Sequence, residues 1–184
     1  MRLDHAMRQA LAQQRFRLHY QPQVDLPSGA IVGAEALIRW RDPELGEIAP
    51  GTFIPVAEES GFIVAIGDWV LRQAVAQAAI WSSRGLTMRV AVNVSALQFR
   101  QPGFVDGVAS ALVAAGLPAR LLELELTESI LIQDAEDTLE RLHALARLGV
   151  HLAIDDFGTS YSSLGYLKRL PIARLKIDRS FVAD

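Results

Sequence analysis

Apolar and polar positions along the chain switch repeatedly between a period of two and a period near 3.6, as they do where strands alternate with helices. Period two predicts strands over Phe16–Gln23, Ile31–Arg39, Arg89–Val94, Leu121–Leu126, His151–Ile154 and Arg174–Ile177. Helical spacing predicts helices over Asp4–Gln14, Phe53–Ser60, Ile66–Arg84, Phe104–Ala115 and Ala135–Leu148, with glycine and proline between or at the ends of the elements. After Arg89 the strands recur about every 30 residues, the length of a βα unit. Such a series implies an α/β fold with a parallel sheet, open and doubly wound or closed as a barrel; spacing alone does not choose.

Five predicted strands carry polar groups within or just after otherwise apolar runs: GAEALIRW, AVNVS, LELELTES, LAIDDFG and RLKID. Burying such groups singly is costly, so they are expected to converge. Strand parity tests this, because successive side chains point to opposite faces. Glu35 and Arg39 share one face of their strand, against Ala34, Ala36, Ile38 and Trp40 on the other. By the same rule Asn93, Glu125, Asp155 and Lys176 each oppose flanking aliphatic residues, which leaves one apolar face for helices and one polar face. Glu123 shares the face of Glu125 but lies deeper, as an interior structural charge would. Chemistry at the C-terminal ends of strands is the site layout of a (β/α) barrel.

Glu35, Asn93, Glu125 and Asp155 offer only oxygen ligands, a set suited to Mg²⁺ or Mn²⁺ rather than zinc or copper. The turn signal Phe157-Gly158 after Asp156 would let both aspartates face one region and support a second metal. Arg39 and Lys176 would bring positive charge to phosphate oxygens. Taken singly, these residues have plainer readings: an interior salt bridge for Glu35 or Lys176, a helix cap for the aspartate pair. Five strands placing polar groups at one level carry the case together.

With 184 residues, 51% of them hydrophobic, the chain is long enough for one substantial core, and one domain over residues 1–184 is expected. A net charge of −3 argues against a surface built to coat DNA or RNA. The absence of cysteine excludes thiolate metal sites and cysteine nucleophiles and fits a cytoplasmic setting. No run of about 20 apolar residues suggests a membrane span, so any membrane tether is expected to come from another domain.

At these residues the sequence resembles the EAL domain family, cyclic di-GMP-specific phosphodiesterases. The triplet Glu35-Ala36-Leu37 follows HYQPQVDLPSGAIVG, and PGTFIPVAEESGFI, VNVSALQF, ELTES, DDFGTSYSSLGYLKRLP and LKIDRSFV come in the family's order. The resemblance implies a TIM-like (β/α)8 barrel that hydrolyses cyclic di-GMP to linear pGpG with Mg²⁺ or Mn²⁺ at a two-metal site. By motif match, Glu35, Asn93, Glu125, Asp155 and Asp156 would hold metal, and Glu35, Asp156 and Lys176 would carry catalysis. Gln21, Leu37 and Arg39 would contact substrate, and Glu128 would brace the loop after Asp156, which feeds a homodimer interface. Ser160 stands where the family usually has glycine. The family pattern continues past LKIDRSFVAD through an EGVE-like and a QGY-like motif, so the barrel is expected to lack its last two strands. Regulatory or sensory domains are expected in a longer native chain. The alternative reading is a catalytically inactive cyclic di-GMP receptor or protein-interaction module.

Overall fold

A computed structural model describes residues 2–127, 130, 135–157 and 170–177, without the side chains of Arg2, Ala135, Asp156 and Phe157. In chain order the elements are α1 (Arg2–Ala12), β1 (Phe16–Val24), β2 (Ile31–Asp42), β3 (Gly46–Ile48), α2 (Pro50–Glu59), α3 (Ile63–Ser83), β4 (Arg89–Val94), α4 (Ala96–Phe99), α5 (Phe104–Ala115), β5 (Leu122–Thr127), α6 (Ala135–Leu148), β6 (His151–Phe157) and β7 (Arg174–Ile177).

One sheet runs β1-β2-β4-β5-β6-β7, with β3 paired to β2 off this path. From β2 onward the main path is parallel, and the crossovers from β2 to β4, from β4 to β5 and from β5 to β6 carry helices. The first pair departs from the all-parallel expectation: β1 and β2 are antiparallel, Phe16 opposite Trp40 and Gln21 opposite Glu35. The physical reason is the connection. Only residues 25–30 join the two strands, too few for the crossover that a parallel neighbour requires. The short β3 was not predicted, because three residues show no period. It follows a tight turn in which Asp42 Oδ1 accepts from the backbone N–H groups of Glu44 and Leu45 at 2.9 and 3.1 Å.

The sheet's apolar face packs on the helices. Ala36, Trp40, Val90, Val92, Val94, Leu122, Leu124, Leu126, Leu152 and Ile154 are buried there, each on the parity opposite to the polar residues. Helix α3 meets them with Ile63, Ile66, Val70, Ala74 and Ala78, spaced three and four apart along one stripe. Among the described residues α3, with 21 residues, is the one helix long and apolar enough to cross a membrane by length and composition. Its stripe against the sheet makes it a core helix, and Asp68 and Arg72 pair at 2.9 Å on its exposed side. Beneath α1 and α2, Trp40 stacks edge-on to Phe53 at 5.5 Å and lies 5.5 Å from Phe16.

Trp40 is fully buried and ties β2 to α2. Trp40→Ala is expected to lower stability by about 3–5 kcal/mol, read as a drop in the urea midpoint at unchanged slope.

Candidate functional site

The polar face of the sheet is curled enough for β7 to reach β1 and β2. Arg174 Nη1 on β7 donates to Gln23 Oε1 on β1 at 3.2 Å, and Lys176 Nζ reaches Glu35 Oε2 on β2 at 3.3 Å. The polar side chains form two levels.

At the lower level Glu123 is fully buried and lies between two arginines, Arg89 Nη1 at 3.3 Å from Oε2 and Arg174 Nη1 at 3.1 Å from Oε1. The second contact is an ion pair rather than an aligned hydrogen bond, since Oε1 has no hydrogen-bond partner. Arg89 Nη2 is 3.4 Å from His151 Nε2. Burial, then the charge of Arg89, holds the His151 imidazole below the ordinary histidine range. The deeper of the two glutamates on β5 is therefore the structural one, as parity predicted.

At the upper level Lys176 Nζ is 2.7 Å from Glu125 Oε2, 3.3 Å from Glu35 Oε2 and 3.5 Å from Asp155 Oδ2. Asn93 Nδ2 donates to Glu35 Oε1 at 2.9 Å. Side chains that parity assigned to one face thus meet around one ammonium. The Glu125 carboxyl is pushed up to about 7, first by burial and then by the charges of Glu35 and Asp155, with Lys176 pulling the other way. Burial alone would lower Lys176, but its hydrogen bond to Glu125 and the three carboxylates outweigh this and hold it protonated above the ordinary lysine range.

A cavity of about 270 Å³ opens beside this cluster, lined by Leu37, Arg39, Asn93, Ser95, Glu125 and Thr127 and, on its helical side, by Pro50, Ile54, Glu58 and Ile66. Gln21 stands opposite Glu35 in the ladder, on the same face. Leu37 and Arg39 line the cavity wall, with Arg39 Nη1 donating to the Ile38 carbonyl at 2.8 Å. Asp156 belongs to β6 by its backbone, but its side chain lies outside the description, as do Glu128 and Ser160 altogether. Thr127 was missed because the strand was ended one residue early. It sits opposite Asp155 in the ladder, next after Glu125 on the same parity.

Among the described residues no three acidic or histidine side chains stand in ready metal-binding geometry. The donor set nevertheless fits a hard divalent cation, since every carboxylate around Lys176 offers oxygen and Glu125 Oε1 is buried without a hydrogen-bond partner.

The EAL domain family model matches residues 4–184. The chain belongs to the EAL domain family. MucR of Pseudomonas aeruginosa, named as a bifunctional diguanylate cyclase/cyclic di-GMP phosphodiesterase, is 50% identical over 185 residues, covering 100% of this chain and 27% of MucR. The cyclic di-GMP phosphodiesterase NbdA of the same organism is 45% identical over 185 residues, covering 100% of this chain and 24% of NbdA. The chain therefore spans about a quarter of the length of these curated relatives. A solved MucR phosphodiesterase in complex with c-di-GMP superposes with a TM-score of 0.95 at 50% identity, covering 99% of this chain and 74% of that one. The FimX EAL domain of Xanthomonas citri in complex with c-diGMP gives 0.88 at 26% identity, covering 100% and 71%. The fold is accordingly the TIM-like barrel type of this EAL family.

Two outcomes test the charge balance of the upper level. With divalent metal chelated, Lys176→Met leaves three carboxylates facing one another, and stability is expected to fall by about 3 kcal/mol in urea unfolding. The raised Glu125 carboxyl favours its neutral form in the folded state. Its contribution is therefore fully present below the unfolded value near 4.5 and lost as pH rises through about 7. The stability difference between wild type and Glu125→Gln in chelator should follow that window.

Proposed function

We propose that this domain hydrolyses cyclic di-GMP to linear pGpG. The observation that carries the reading is the convergence of Glu35, Asn93, Glu125, Asp155 and Lys176 beside a cavity walled by Leu37 and Arg39, in a chain of the EAL family. Relatives named as cyclic di-GMP phosphodiesterases support the same choice.

In this reading Glu35, Asn93, Glu125, Asp155 and Asp156 hold Mg²⁺ or Mn²⁺, which when bound supplies Lewis-acid polarisation of the phosphodiester and of the attacking water. Glu35 and Asp156 activate the water, and Asp156 takes up its proton as the oxygen adds to phosphorus. The bond from phosphorus to the 3′ oxygen breaks as that oxygen takes a proton from solvent water, and Asp156 returns its proton to solvent, so one water is consumed and a 5′-phosphate and a 3′-hydroxyl result. Lys176, held protonated by its neighbours, steadies the charge that develops on the phosphoryl oxygens. Gln21, Leu37 and Arg39 hold the dinucleotide, Arg39 by its guanidinium on a phosphate. Glu128 braces the segment after Asp156, through which two copies pair as a homodimer. The domain works in the cytoplasm, with regulatory domains in a longer native chain and no DNA or RNA polymer as partner.

Incubation with cyclic di-GMP and Mn²⁺ or Mg²⁺ should yield pGpG by chromatography, and chelation should stop it. Glu35→Gln is expected to lower the rate by at least about 100-fold with the fold intact by circular dichroism. Folded wild-type protein that binds cyclic di-GMP without forming pGpG would replace this reading with that of a receptor.

A further inference from the structure

The polar face of β2 does not end at the cavity wall. Beyond Glu35 and Leu37 the same parity carries Arg39 and Arg41, and the antiparallel neighbour β1 places Arg17 directly opposite Arg39 and His19 opposite Leu37. Like charges in direct cross-strand register are destabilising, so a sheet gains nothing structural from the Arg17–Arg39 pair. These side chains line a second cavity of about 290 Å³, with Arg15, Gln14 and Glu47 completing its wall.

The neutralising carboxylates are few. Arg15 is taken up by Asp42 at 3.2 Å. Arg41 has only Glu47 at 3.7 Å, with both side chains more than two-thirds exposed, a contact of little strength in water. Arg17 has no carboxylate within ion-pair distance among the described residues. The cavity therefore holds an excess of guanidinium charge on a rigid two-stranded ladder. It neighbours the mouth, with Arg39 lining both cavities. At about 3.3 Å per residue, Arg39 and Arg41 lie about 13 and 20 Å along the strand from Glu35.

We propose that Arg17, Arg41 and His19, with Arg39 as the shared wall, form a second subsite that takes a terminal phosphate of a guanine nucleotide. A phosphodiester carries one negative charge and is met by a single guanidinium. Several guanidinia around one concavity suit the higher charge of a phosphomonoester or polyphosphate, which planar forks bind bidentately. Two ligands carry such a group: a linear dinucleotide with a 5′-phosphate, which is the product in the reading above, and a free nucleoside triphosphate. The proposal draws on that reading only for the guanine base, and it stands whether or not this chain turns substrate over.

The test is calorimetric titration of the whole chain in chelator, where no hydrolysis occurs, with pGpG, with GpG lacking the 5′-phosphate, and with GTP. Wild type should bind pGpG at least about tenfold more tightly than GpG. The double variant Arg17→Ala, Arg41→Ala should erase that difference, whereas Glu35→Gln should keep it. GTP binding that needs the same two arginines, without a pGpG preference, would identify a free nucleotide as the source and leave the subsite standing. Equal affinity for pGpG and GpG together with no arginine-dependent GTP binding would overturn the proposal. So would a double variant, folded by circular dichroism, that binds pGpG and GTP as wild type does.

Discussion

Charge enclosed by a curled sheet must be balanced at short range, and β5 sets the problem by aiming two glutamates, Glu123 and Glu125, into the interior from one face. Neither side chain is exposed. Strand β7 answers with two cations at the same spacing, Arg174 against Glu123 and Lys176 against Glu125. The two ladders match because strand parity repeats every two residues, so a shift of one residue in β7 would turn both cations to the outside. The position of β7, and with it the upper cluster, rests on that match more than on the few backbone contacts a four-residue strand can make.

The two glutamates are chemically alike and differ in surroundings. Glu123 is fixed between arginines, which stay charged at any physiological pH, and so it is committed to structure. Glu125 faces a lysine shared among three carboxylates and keeps one oxygen buried without a hydrogen-bond partner. The orphaned Glu125 oxygen leaves a buried acceptor that an incoming divalent cation can take up. Stability at one level and chemistry at the next thus come from one strand through the choice of counter-ion.

Much of this was legible in the sequence because it depends on local period. Strands β4 and β7 and helices α5 and α6 have the bounds that hydrophobic spacing predicts, and parity alone separated Glu35, Asn93, Glu125, Asp155 and Lys176 from the core-facing residues. What escaped depends on register or on turns. The antiparallel setting of β1 against β2, the pairing of Glu123 with Arg89 and Arg174, and the facing of Arg17 with Arg39 are contacts between distant segments, and no local pattern encodes them. Helix α3 shows a further limit: a mostly apolar composition does not by itself say whether its partner is a sheet or a lipid, and the neighbouring strands decide it.

The order of the charges along the chain has a consequence for biosynthesis. Glu35, Glu123 and Glu125 leave the ribosome well before residues 174–177, and among the cations that meet them only Arg89 comes earlier than β5. A nascent chain that has finished β6 would hold its inward acids largely uncompensated, so the curled sheet gains its full stability only when the last described strand arrives. Ribosome-bound intermediates of this domain should therefore stay open on the β7 side, and their closure should be set by the emergence of two basic residues rather than by the growth of the apolar core.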